Sequence, residues 1–189
     1  MGKQRLEAFT DGVIAIIITI MVLDMKVPPS ANFTSMRADF PVFLAYALSF
    51  ANVAIFWNNH HHMLHATERI NGRVLWANML LLFWLSLVPF AIRWMDAANY
   101  APLPTSVYGV VLFLSAIAYT LLERAIIVSD GPGSRLSRAV GSDTKGKISL
   151  SIYALAIPLA FVRPWIAIAL YVVNAMMWFV PDKRIESMV

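Results

Sequence analysis

Three ionisable residues open the first apolar run of this chain. Arg5, Glu7 and Asp11 stand at the head of Gly12-Val13-Ile14-Ala15-Ile16-Ile17-Ile18-Thr19-Ile20-Met21-Val22-Leu23. A carboxylate at depth in a bilayer costs roughly 2.5–3.5 kcal/mol on insertion scales, so Asp11 is expected to face protein or water and to have a partner. At about 100° per residue, Arg5 and Asp11 lie about 120° apart around a helix axis, too far for an intrahelical pair. Their partners are therefore expected on other helices. The alternative is an interfacial charge cluster that snorkels to the headgroups.

A second polar group closes the second apolar run, Trp57-Asn58-Asn59-His60-His61-His62-Met63-Leu64-His65. His61 and His65 are one helical turn apart and have metal-ligand spacing, with Glu68 or Asn58 available to join them. Trp57, Asn58, His61 and His65 can instead form a supporting network that bonds to Arg5 or Asp11, or the histidines can stay solvated at the interface. Histidine titrates near about 6.5, so either role admits a pH-sensitive contribution. The amides Asn52, Asn78 and Asn174 and the hydroxyls Ser49, Ser86 and Ser115 read as interhelical packing bonds, worth roughly 0.6–2 kcal/mol each. No nucleophile–base pair, phosphate loop or di-acid site stands in a setting where it would work.

The elements that must position these groups follow from hydropathy. The chain has 189 residues, 59% hydrophobic and 14% charged, with a mean hydropathy of +0.67; soluble domains sit near about 45–50% and 25%. The surplus needs a solvent that accepts it, and a bilayer does. With no cysteine, neither a disulfide framework nor a thiolate metal site is open to the chain. Spanning about 30 Å of hydrocarbon takes roughly 20 helical residues. Six segments are placed at 6–25, 40–63, 73–94, 105–128, 148–162 and 165–180, a single all-α membrane domain over 1–189. Pro158 is expected to kink the fifth, and Arg163-Pro164 leaves only a tight hairpin before the sixth. The first segment lacks a small-residue cleavage site and is expected to be retained rather than removed as a signal peptide.

Orientation follows from the basic residues. With both ends cytoplasmic, the inner set is Lys3, Arg5, Arg69, Arg73, Arg124, Arg135, Arg138, Lys145, Lys147, Lys183 and Arg184, against Lys26, Arg37, Arg93 and Arg163 outside. The basic residues thus read as topology signals, not as a nucleic-acid stripe, and no nucleic-acid partner is expected. Residues 28–39 can hold a short surface or re-entrant helix, and 129–147 read as a flexible cytoplasmic loop. Trp94, Tyr100, Tyr108, Trp165 and Trp178 are expected to form an aromatic belt. No internal repeat is evident, which disfavours an inverted-repeat transporter within one chain.

On a helical wheel with Ile16 at zero, Gly12 falls at about −40°, Thr19 at −60°, Ile20 at +40° and Leu23 at −20°. This is a narrow stripe of branched apolar residues with one hydroxyl. Periodicity alone leaves open whether it faces lipid, protein or a pore, because every face of the helix is apolar.

Arg5-x-x-x-Phe9-Thr10-Asp11 followed by Gly12-Val13-Ile14-Ala15-Ile16 resembles the R-x-x-x-F-S-D signature of the transmembrane protein 175 family of potassium channels, with Thr10 in place of serine. The six-helix plan and chain length match as well. The resemblance implies a potassium-permeable channel, not an enzyme, without a cofactor and with K+ as the permeant ion. It implies a homotetramer in the cell membrane whose pore is lined by the first helix. Carried over by position, the narrow part falls at Ile16, Ile20 and Leu23, with Thr19 as a polar ring in the same stretch, and Arg5, Phe9, Thr10 and Asp11 position the pore helix. No Thr-Val-Gly-Tyr-Gly loop is present, so a carbonyl cage is not the source of selectivity; an apolar constriction would gate by dewetting and radius. Two other functions remain open on the residues alone: a proton-permeable channel or proton-coupled transporter using Asp11 and the histidines, and a small metal-dependent intramembrane enzyme built on His61 and His65.

Overall fold

A computed structural model describes residues 2–25, 27–131, 133–141 and 143–179. Lys26, Val180, Lys183 and Arg184, used above for span ends and topology, lie outside the described residues. Among the described residues the regular secondary structure is entirely helical, in the order α1 (Lys3–Leu23), α2 (Phe33–Ala38), α3 (Phe40–His65), α4 (Gly72–Ser86), α5 (Val88–Ala97), α6 (Pro102–Asp130), α7 (Arg135–Val140), α8 (Thr144–Val162) and α9 (Pro164–Phe179). Among the described residues five helical stretches are long and apolar enough to cross a membrane: α1, α3, α4 with α5, α6 and α8. Within the described residues α9 has 16 residues, about 24 Å at 1.5 Å per residue.

Local chemistry explains the boundaries. Asn32 and Asn71 cap α2 and α4 by accepting from Ser35 N and Val74 N, and prolines occupy the first turns of α3, α5 and α6, where the missing N–H costs nothing. The segment 73–94 is not one helix. It breaks at Leu87, because Pro89 has no N–H to bond back to Leu85 and its ring crowds that carbonyl. Pro158, marked above as the kink, sits inside α8, which runs through it unbroken.

Two further expectations are corrected. The stretch 129–147 is not simply a flexible loop. Its serine and aspartate act as caps: Ser134 starts α7, and Asp143 accepts from Gly146 N (3.1 Å) to start α8 a turn before 148. Asp130 also accepts from Glu68 N (3.1 Å) and Arg69 N (2.8 Å), so the end of α6 holds the α3–α4 connection. Tyr108 is not a belt residue. It is fully buried, bonds to Ser49 at 3.0 Å and packs edge-on against Tyr171 at 5.5 Å. Tyr100 and Trp165 do pair, at 5.2 Å, beside the α5–α6 connection.

The bundle is organised around α6, which packs on α4, α5, α8 and α9. Three tyrosines knit this interior: Tyr171 donates to Thr105 O (3.1 Å), Tyr153 to Asn52 Oδ1 (3.3 Å), and Tyr108 shares a bond with Ser49. The outer surface stays apolar, with Phe83, Phe90, Leu155, Phe161 and Trp165 all exposed, the kind of surface that a bilayer covers. Helix α1 is peripheral. It packs on α3, α4 and α5, which leaves one side of it uncovered.

Candidate functional site

The covered side of α1 is set by Leu6, Thr10, Ile14, Ile17 and Met21, all buried. With Ile16 at zero these cluster near about 120° on the wheel, so the stripe of Gly12, Ile16, Thr19, Ile20 and Leu23 points roughly the opposite way. Within the subunit Ile16 is 58% exposed, Ile20 44% and Leu23 81%. Thr19 is exposed too, and its hydroxyl is turned back onto Ala15 O (2.8 Å) and Ile16 O (2.9 Å). This shared donation uses the hydroxyl proton within the helix, leaving both lone pairs and the methyl to whatever lies outside.

Polar bonds clamp α1 to its neighbours along its length. At its start, Lys3 Nζ donates to His65 O (3.0 Å) and Thr67 O (3.2 Å), meeting carbonyls at the end of α3. One turn past the opening, Asn78 Nδ2 on α4 donates to Thr10 Oγ1 (3.0 Å), and His60 Nε2 on α3 lies 2.7 Å from Asn78 Oδ1. With the amide nitrogen assigned to Thr10, Oδ1 must accept, so Nε2 of His60 carries its proton. All three side chains are buried. Next to them Trp57 Nε1 donates to Asp11 Oδ1 (2.8 Å). At the far end Arg93 on α5 meets Asp24 at 2.6 Å. Both of those side chains keep contact with solvent, so this pair is a locator rather than a large source of stability.

The signature residues divide accordingly. Thr10 and Asp11 are bonded to other helices, while Arg5 and Phe9 are exposed. From the cluster at the end of α3, Trp57 holds Asp11, His61 stacks on Trp57 (5.9 Å between ring centres) and His65 stacks on His61 (6.4 Å); Asn58 is exposed. Among the described residues no group of three or more His, Cys, Asp or Glu side chains is placed to hold a metal. Asn78 makes the interhelical bonds expected of it, and the residue that sequence reasoning passes over is its partner His60. A signal exists for His60: it lies about 20° from Val53 on the wheel, on the face of α3 that also carries Ser49 and Leu64.

Replacing Asn78 by leucine keeps most of the volume but strands the His60 N–H and the Thr10 oxygen in a dry interior. The expected cost is about 1–2 kcal/mol, between the soluble-protein penalty for unmet groups and the smaller values typical of membrane helices. The melting temperature of purified Asn78→Leu should fall by several degrees. Trp57→Phe, which removes a more exposed bond, should change it less, and the reverse order would place the main clamp elsewhere.

Comparison with known proteins agrees with this fold. A family model described as the endosomal/lysosomal potassium channel TMEM175 matches residues 5–89, the stretch that contains the Asn78–Thr10 and Trp57–Asp11 bonds. A potassium channel of Chryseobacterium sp. (strain P1-3) is 50% identical over 187 residues, covering 99% of this chain and 97% of that protein. The fold is similar to the crystal structure of a lysosomal potassium-selective channel TMEM175 homolog from Chamaesiphon minutus, with a TM-score of 0.82 at 27% identity over 95% of this chain and 97% of that one. The endosomal/lysosomal proton channel TMEM175 of Bos taurus is 26% identical over 179 residues, which is 85% of this chain and 37% of the bovine protein.

Proposed function

The chain belongs to the TMEM175 family of ion channels, and from that membership we propose that it is a potassium-permeable channel, a homotetramer whose pore is lined by α1. Six crossings (α1, α3, α4 with α5, α6, α8 and α9) form one domain in the cell membrane, with both ends cytoplasmic as the basic residues suggest. Ile16, Ile20 and Leu23 form the apolar constriction and Thr19 a hydroxyl ring within it. Arg5, Phe9, Thr10 and Asp11 set the tilt of the pore helix. One observation carries the reading: α1 is bonded to its own subunit on one side and presents the stripe uncovered on the other. Four such stripes about an axis would make a narrow apolar neck, which passes ions only when it is wide enough to stay wet.

The test is flux. Purified protein in liposomes carrying an outward K+ gradient should take up a compensating dye-reported charge when a proton ionophore is added, and empty liposomes should not. Absence of any flux above empty liposomes would sink the proposal.

A second reading, proton permeation, is favoured by the name of the bovine relative and by the buried Thr10–Asn78–His60 chain beside the pore helix. It predicts that a pH gradient alone drives current without the ionophore, and that Asp11→Asn reduces that current.

A further inference from the structure

Helix α1 is held unevenly along its length. Its first half carries the bonds of Lys3, Thr10 and Asp11 to α3, α4 and the segment that joins them. From Gly12 to Leu23 the one polar side chain is Thr19, which bonds within α1. The next polar bond to another helix is that of Asp24, the residue that ends α1, with Arg93 of α5.

Apolar covering runs out over the same stretch. Met21 is the last buried residue of α1, and Val22 and Leu23 are exposed. Beneath this last turn lies a cleft of about 40 Å3, lined by Met21 and Asp24, by Tyr46 of α3, and by Ile92, Arg93 and Asp96 of α5. That space exceeds the roughly 10–15 Å3 that admits one water, so the outer end of α1 is not interlocked with α3 and α5 at this level. Arg93 stands on a firmer element: α5 buries Val88, Pro89, Ala91, Ile92 and Met95 and packs on α3 and α6.

Arg93 Nη1 donates to Asp24 Oδ1 at 2.6 Å, a charge-assisted bond, and the guanidinium also meets the negative end of the α1 dipole. Such a pair can only pull. Its opponent is the burial of apolar surface, because four Leu23 side chains about an axis shed water by drawing together.

We propose that Arg93 is a positioning residue for conduction: through Asp24 it draws the outer end of α1 back from the pore axis and keeps the neck at Ile20 and Leu23 open. The role rests on the reading of α1 as the pore helix.

Two variants of the full-length protein in liposomes break the pair with opposite changes of charge. If the pair acted only through charge at the mouth, Arg93→Gln would raise K+ flux and Asp24→Asn would lower it. As a tie on α1, its loss should lower flux in both variants, by about threefold or more. Melting temperatures should stay within about 3 °C of the unsubstituted protein, as for an exposed pair. Arg93→Lys, which keeps a cation, should retain more flux than Arg93→Gln, and the reversed pair Asp24→Arg with Arg93→Asp should recover flux. Opposite effects of the two single variants, no effect from either, or no recovery in both of the paired variants overturns the proposal. A reading without flux comes from Leu23→Cys, the single cysteine in an otherwise cysteine-free chain. Spin labels there should lie closer together across the assembly when Arg93→Gln is added, and an unchanged or longer distance overturns the proposal as well. Flux through the unsubstituted protein that neither variant alters defeats the role of Arg93 alone, whereas no flux through the unsubstituted protein defeats the pore reading and this role with it.

Discussion

Gly109→Ala is expected to lower the melting temperature of the protein by roughly 5–10 °C, although alanine is the better helix former. Gly109 lies inside α6 where that helix meets α9. A Cβ built there would overlap Tyr171 Oη and lie 2.8 Å from Cζ. The tyrosine has nowhere to go. It is fully buried, its hydroxyl is held by Thr105 O at 3.1 Å, and its ring is packed between Tyr108 and Tyr153. Helix propensity offers about 1 kcal/mol in favour of alanine. Overpacking of a filled core costs about 1–3 kcal/mol, and here it also breaks the Thr105 bond, so the steric effect wins. Gly72→Ala, where an added Cβ meets nothing within 4 Å, serves as the control and should not lower the melting temperature. Combining Gly109→Ala with Tyr171→Phe removes the overlapping oxygen and should recover part of the loss. A Gly109→Ala protein as stable as the unsubstituted one would mean that α6 and α9 are less tightly apposed than they stand here.

Gly109 also shows what hydropathy leaves unreadable. Apolar runs are enough to mark the stretches long and apolar enough to cross a membrane, since they report a balance between water and hydrocarbon. They say little about which face of a helix meets protein, because lipid and core are equally apolar and the usual two-faced pattern is absent. Tyr108 therefore reads as an interfacial belt residue although it is the buried partner of Ser49. Asn78 reads as one packing amide among several, although it joins α1, α3 and α4. The break at Leu87 escapes for a different reason: Pro89 and Pro158 look alike in sequence, yet α4 ends before the one and α8 runs through the other. In the candidate site, charge makes Asp11 conspicuous, and of the supporting network expected from the sequence it is Trp57 that bonds to it, while Asn58 stays exposed. The stripe on α1 follows from spacing alone. What makes it a pore candidate is the resemblance, because no period distinguishes a helix that faces water through a narrow neck from one that faces lipid.

That distinction can be measured with one substitution. Ile20→Asn is expected to raise K+ flux through reconstituted protein about tenfold, a barrier lowered by about 1.4 kcal/mol, and to narrow the difference between K+ and Na+. In the proposed tetramer four isoleucines would meet at this level, where water is held only by contact with other water and a neck of small radius dries. An amide at each position supplies donors and acceptors that keep the column wet. The fold should tolerate the change, because Ile20 is not part of the covered side of α1, which is held by Leu6, Ile14, Ile17, Met21 and the bonds of Thr10 and Asp11. If the stripe faced lipid, the same amide would sit unsatisfied in hydrocarbon. Expression or stability would then fall and flux would not rise. Leu155→Asn supplies that comparison: Leu155 is as exposed as Ile16 but projects from α8, which packs on α6 and α9 rather than on α1. Flux raised by Ile20→Asn and untouched by Leu155→Asn is the result that places the pore on α1. Equal effects from both substitutions would leave that helix as one more wall of the scaffold.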